Sequence, residues 1–157
     1  MFAALTARIL VWPAQGMPAH VDAIIMMAGP GDRESVALAL ARERRAPVLV
    51  ISQGQHGYSG PCPLPVPGVR LICFNPVPGN TRGEAEFAGR LAKKHDWHSV
   101  VLVTTAEQDT RARMMMRRCY SGEVYVVTAP QPLSSIPGEI AYGWGALLKA
   151  LVLVRAC

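Results

Sequence analysis

Five short runs of apolar residues, each closed by glycine, proline or polar turn residues, set the rhythm of the chain: Val21–Met27, Pro47–Ser52, Val69–Phe74, Ser99–Thr105 and Val124–Thr128. Near-continuous apolar character over so few residues predicts strands buried on both faces, as in a parallel sheet. Between them lie stretches with helical character: about Arg33 to Arg45, Thr81–His95, and, after Ala106–Thr110, a helix to about Tyr120. A last apolar helix follows the Pro-bearing Ala129–Pro137 loop, and Ala141–Val154 is its most apolar part. Asp32 is suited to cap the first of these helices, and Arg44 and Arg45 to complement its negative end. Strands alternating with helices give βαβ units. The expected fold is therefore α/β, a Rossmann-like three-layer sandwich with a five-stranded, mainly parallel sheet. Val21–Met27 and Ser99–Thr105 are the most apolar runs and belong at its centre.

In such sheets ligands bind outside the carboxyl ends of the strands, near the point where the strand order reverses. Four loops converge on that rim: Gly29–Arg33, Ser52–Gly57, Asn75–Thr81 and Thr104–Arg111. Gly29-Pro30-Gly31-Asp32-Arg33-Glu34 opens like a dinucleotide fingerprint but has Glu34 where the third glycine belongs. Gly29 and Gly31 could still free backbone N–H groups as an anion cradle at the helix start, with Arg33 beside them. A plain tight turn fits the same residues. Thr81-Arg82-Gly83-Glu84 fits a capping box, Thr81 accepting from the third helical amide and Glu84 reaching back, which leaves Asn80 and Arg82 for a ligand. Thr104, Thr105, Gln108 and Arg111 form the most suggestive group. Arg111, placed in the first helical turn, opposes the helix dipole unless an anion lies near.

Composition narrows the function without naming it. A chain of 157 residues, half of them hydrophobic and 17% charged, is one globular domain rather than a disordered segment. The net charge of +5 favours anionic partners. The basic residues are scattered and aromatics amount to only 6%, so the footprint of a nucleic-acid binder is missing. No run approaches the ~20 apolar residues of a membrane span, and no secretory signal is visible, which predicts a cytoplasmic protein. Cys62, Cys73, Cys119 and Cys157 show no zinc-type spacing and read as reduced thiols, with Cys73 and Cys119 buried in apolar surroundings. No metal is expected. Gln53–Gly68, with four prolines and four glycines, reads as a surface loop across the rim. Ser52 lacks the surroundings of a nucleophile elbow, and a Ser52/His56 pair is more simply a polar loop cluster.

Asp22-Ala23-Ile24-Ile25 with Gly29 and Arg33, Val50-Ile51-Ser52, Asn80-Thr81 and Leu102-Val103-Thr104-Thr105 followed by Arg111-Ala112 stand in an order and spacing that resembles the YdcF/SanA/ElyC-like family. These are bacterial Rossmann-like proteins mostly of unassigned function. The resemblance runs from about Val21 to Val127. It implies a nucleotide-like ligand, for which S-adenosylmethionine is one candidate. Where family members carry a histidine three residues before the Arg-Ala pair, this chain has Gln108. Where they carry an acidic residue and a serine before Asn-Thr, it has Asn75 and Pro78. The obvious acid/base groups are thus replaced. The leading expectation is a small-molecule-binding protein holding an anionic or nucleotide-like ligand through Arg33, Arg82 and Arg111, oriented by Ser52, Asn80, Thr104 and Thr105. The alternative is a hydrolase or transferase acting on a cell-envelope or sugar-phosphate precursor. A third is an interaction module that dimerises through the apolar C-terminal helix. Without a histidine at position 108, binding should vary little between about pH 6 and 8.

Overall fold

A computed structural model describes residues 4, 6–11, 13, 16–54, 62–132, 136–153 and 157. A π-helical segment, Ala7–Val11, precedes five strands: β1 (Ala23–Met26), β2 (Val48–Ser52), β3 (Arg70–Phe74), β4 (Ser99–Thr104) and β5 (Glu123–Thr128). Helices α1 (Arg33–Arg42), α2 (Thr81–His95), α3 (Ala106–Cys119) and α4 (Ile136–Val152) complete the fold. All strand pairs are parallel and the order is β3-β2-β1-β4-β5. The expected Rossmann-like α/β sandwich is what the chain adopts. Val21–Met27 supplies the central strand and Ser99–Thr105 its immediate neighbour.

The two-residue period of each strand divides the core between the faces. Ala23, Ile25, Val50, Val100 and Leu102 point toward α2 and α3, meeting Ala85, Ala88, Ala112 and Met116. Ile24, Met26, Leu49, Ile51, Val101 and Val103 point the other way, onto Ala37 and Ala41 of α1. Because β1 is covered on both sides, all four of its residues are buried, as its unbroken apolar run requires. The start of β1 is tied to β4 by Asp22, whose Oδ2 accepts from the His98 and Ser99 amides at 2.7 and 2.8 Å. Helix α4 packs against α3, with Leu147 and Ala150 buried between them.

The expectation for the cysteines is corrected. Cys62 is joined to Cys73 and Cys119 to Cys157, with Cα separations of 6.0 and 4.9 Å. Cys73 and Cys119 are partly exposed rather than buried hydrophobes. Spacing along the chain carries no information about which residues the folded chain brings together, and that is why the pairing was unreadable. The Asp32 cap is also corrected: its side chain makes no capping hydrogen bond. Among the described residues no helix is long and apolar enough to cross a membrane.

Candidate functional site

The chain leaves β1 for β2 on one side and returns through α2 to β4 on the other, so the carboxyl ends of β1 and β4 diverge. At this switch point lies a cleft of about 620 Å³. One flank is the Ala28–Pro30 loop, another the start of α2, a third the first turns of α3, and α4 closes it. Of the eleven residues the sequence singles out, Gly29, Asn80, Thr81, Arg82, Gln108 and Arg111 line this cleft. Gly31, Arg33, Ser52, Thr104 and Thr105 do not.

Arg33 is the largest departure from expectation. It is 2% exposed and folded back beneath its own loop. Its Nε donates to Pro30 O at 2.7 Å, Nη1 to Ala28 O at 2.7 Å and Met27 O at 3.1 Å, and Nη2 to Thr105 Oγ1 at 2.9 Å. A longer contact of 3.4 Å reaches Gln108 Oε1. The guanidinium is thus consumed in bracing the turn after β1 and joining it to the end of β4. Gly29, at φ +140°, is required here, because a Cβ would lie 2.6 Å from Arg33 Nη2. The proposed amide cradle is likewise occupied: Asp32 N–H donates to Pro130 O and Arg33 N–H to Gly31 O. Two of the amides such a cradle would use are therefore already taken.

At α2 the cap sits one residue earlier than the capping box predicts. Asn80 is the cap, its Oδ1 accepting from the Arg82 and Gly83 amides at 3.0 and 3.2 Å. Thr81 becomes the first helical residue, and Glu84 is released from reaching back. It turns instead into the sheet edge, where Oε1 accepts from Ala28 N–H at 2.6 Å. Arg82 pairs with Glu86 at 2.7 Å. Helix α3 starts at Ala106, which moves Arg111 to the second turn and removes the unfavourable dipole that first drew attention to it. Thr105 occupies the cap position without capping. Its hydroxyl takes Arg33's donation and donates to Glu107.

Two features remain for chemistry. Arg111 lines the cleft beneath the Tyr142 ring, 5.5 Å from its centroid, and its buried Nε has no hydrogen-bond partner. Glu84 lines the same cleft although only 4% exposed. Burial pushes its carboxyl above the ordinary range. The Ser52 hydroxyl, the Ala28 amide and the Arg33 and Arg111 guanidiniums oppose the shift without cancelling it. The Ser52 hydroxyl favours the charged form from beside it, though outside regular hydrogen-bond geometry. The Thr104 hydroxyl is wholly buried and unpartnered at the level of Ser52, two strands away. His56, and with it the Ser52/His56 pair, lies outside the described residues.

Sequence reasoning missed Glu84, because a capping box explained it away, and it missed the α4 wall altogether. Glu139, Tyr142, Ala146 and Lys149 face the cleft from that helix. Their spacing of three, four and three residues, with Glu139, Tyr142 and Lys149 polar within an apolar helix, was the available signal. Among the described residues no group of three or more His, Cys, Asp or Glu side chains converges to hold a metal. A wider groove of about 1360 Å³ runs along α2 and α3 toward the amino ends of β4 and β5. It is open surface at the wrong end of the sheet for an α/β ligand site. Comparison with protein-family models, curated proteins and solved structures finds no match.

Proposed function

We propose that this protein binds a small anionic, nucleotide-like or phosphorylated molecule in the cleft at the carboxyl edge of β1 and β4, as the resemblance to YdcF-like proteins also implies. The observation that carries the reading is Arg111: a guanidinium with a buried, unpartnered Nε, facing a cleft at the switch point of a parallel sheet. A buried donor left without an acceptor costs about 1–3 kcal/mol, and an oxyanion in the cleft would recover it. Arg82 and Lys149 add positive charge to the lining, against the carboxyls of Glu84 and Glu139. Calorimetric titration with inorganic phosphate, AMP and S-adenosylmethionine tests the reading. Arg111→Gln should weaken binding by about 1.5–3 kcal/mol, the value of a hydrogen bond to a charged group, with stability unchanged or raised because the unpartnered donor is removed. Unaltered binding in that variant would remove the reading.

The second reading, a hydrolase or transferase acting on a cell-envelope or sugar-phosphate precursor, is favoured by Glu84, a buried carboxyl lining a cleft with its pKa raised by burial, the kind of group that serves in acid/base catalysis. Turnover of phosphate esters, abolished in Glu84→Gln, would select it. Two disulfides are sustained in oxidising compartments and not in most cytosols, so the cytoplasmic expectation gives way to an oxidising location in this proposal. Exposed Leu148, Leu151 and Val152 on α4 support a homodimer, which sedimentation would detect as twice the monomer mass.

A further inference from the structure

We propose that Glu84 sets the class of anion this cleft accepts: the ligand must bring a proton to the carboxyl or wait for one from solvent, so phosphate groups bind and sulfate is excluded. The inference rests on the anion-binding reading above and goes beyond it to a substrate class.

Glu84 is anchored by the Ala28 amide at 2.6 Å, with the Ser52 hydroxyl beside it, and the residue lines the cleft. A carboxylate and an oxyanion in contact repel unless one proton stands between them. The charged groups around Glu84 relieve this only in part. Arg33, from the β1–α1 turn, is spent on backbone carbonyls, and Arg82, on the same helix as Glu84, is paired with Glu86. From α4, Lys149 and Glu139 face the cleft with opposite signs. Arg111 of α3 keeps an unpartnered buried Nε, and Gln108, which lines the same cleft, is neutral. Arg111 and Lys149 are thus set against the carboxyls of Glu84 and Glu139 and an incoming anion together.

Hydrogenphosphate resolves the conflict by itself: its P–OH donates to the Glu84 carboxylate while its other oxygens accept from Arg111. A phosphate monoester, with a second pKa of about 6, does the same at modest cost near neutrality. Sulfate has no proton to give. Glu84 must first take one from water, and every pH unit above the carboxyl's pKa lowers sulfate affinity about tenfold. Burial raises that pKa above its ordinary value, so the protonated state is reached more readily on acidification than at an exposed carboxyl.

The experiment is a calorimetric titration of the intact, oxidised protein with sodium phosphate and sodium sulfate, at constant ionic strength, at about pH 8 and about pH 5.5, values that bracket the second phosphate-ester pKa. At the higher pH, phosphate should bind at least about tenfold more tightly than sulfate, and the gap should narrow on acidification. Repeating the sulfate titration in two buffers of different ionisation heat should show about one proton taken up per sulfate bound, a readout that needs no variant. Glu84→Gln, whose amide donates without a proton from solvent, should bind both anions within about threefold at either pH. Equal affinity of the wild type for the two anions at pH 8, or discrimination that persists in Glu84→Gln, would overturn the proposal and leave the anion-binding reading intact. Failure of both anions to bind would instead take down that reading, and this inference with it.

Discussion

Arg33→Met is the substitution that most sharply separates a bracing arginine from a ligand-binding one. Methionine has nearly the length of the arginine stem and fills the same buried space, so the change removes donors more than volume. Three backbone carbonyls lose their partner: Pro30 and Ala28 at 2.7 Å and Met27 at 3.1 Å. Hydrogen bonds to a charged group contribute about 1.5–3 kcal/mol each, so a simple sum gives a ceiling of about 4.5–9 kcal/mol. Two of the three bonds are only part-buried and their carbonyls regain water. The expected loss is therefore about 3–5 kcal/mol, the range seen when one partner is removed from a buried charged network. With a urea slope of about 2 kcal/mol/M, the unfolding midpoint should fall by about 2 M. Arg33→Lys, which keeps the charge but not the fork, should recover only part of it. A midpoint within about 0.5 M of wild type, together with lost anion binding, would refute the bracing role and restore Arg33 to the ligand.

Asn80→Ala removes the side chain that caps α2 and should cost about 1 kcal/mol by thermal or urea unfolding, whereas Thr81→Ala should cost much less, because the cap is not at Thr81. The native protein should show no thiol reactive toward Ellman's reagent under denaturing conditions until reductant is added, and reduction should lower stability by about 2–4 kcal/mol per bridge. The Asp22 carboxyl is raised somewhat by partial burial but held on balance below its usual range by the Ser99 and His98 amides and the Ser99 hydroxyl. Its contribution is present above the ordinary carboxylate pKa and lost as pH falls through the depressed one. Asp22→Asn should accordingly be less stable than wild type at neutral pH, and the two unfolding curves should converge in acid.

The sheet was legible because its information is local. A strand buried on both faces must be apolar at every position, and the runs at Val21–Met27 and Ser99–Thr105 say so without reference to anything distant. The start of α2 was legible for the same reason, and Thr81–His95 matches the observed helix. The roles of the rim arginines were not. Arg33, Arg82 and Arg111 look alike in sequence, each near the start of a helix beside a glycine- or threonine-bearing loop. The structure gives them three different fates: a brace on backbone carbonyls, an ion pair one turn along the helix, and an open donor in the cleft. What separates them is which oxygen lies within reach once the loops have closed, and that is a property of tertiary distance. Glu84 makes the same point from the other side. The capping-box pattern is satisfied by its residue types, yet moving the cap to Asn80 frees the carboxyl for Ala28, fifty-six residues away.

The wall of the cleft depends on tertiary ties more than any other part of it. Helix α4 is apolar along most of its length, and the spacing of Glu139, Tyr142 and Lys149 is the local sign of which side meets the cleft. Its position is set by Leu147 and Ala150 packing on α3 and by the Arg118 guanidinium donating to Ala150 O at 3.1 Å. The disulfide from Cys157 to Cys119 then ties the chain beyond the helix to the end of α3. Only with the helix held in that rotation do Glu139, Tyr142 and Lys149 face Arg111, while Leu148, Leu151 and Val152 are left outside. Rotating α4 by about 100°, the angle between neighbouring residues, would bring leucines to the cleft and carry its charges away. The strands therefore decide where a ligand can sit. The packing and cross-linking of the last helix decide what that ligand meets.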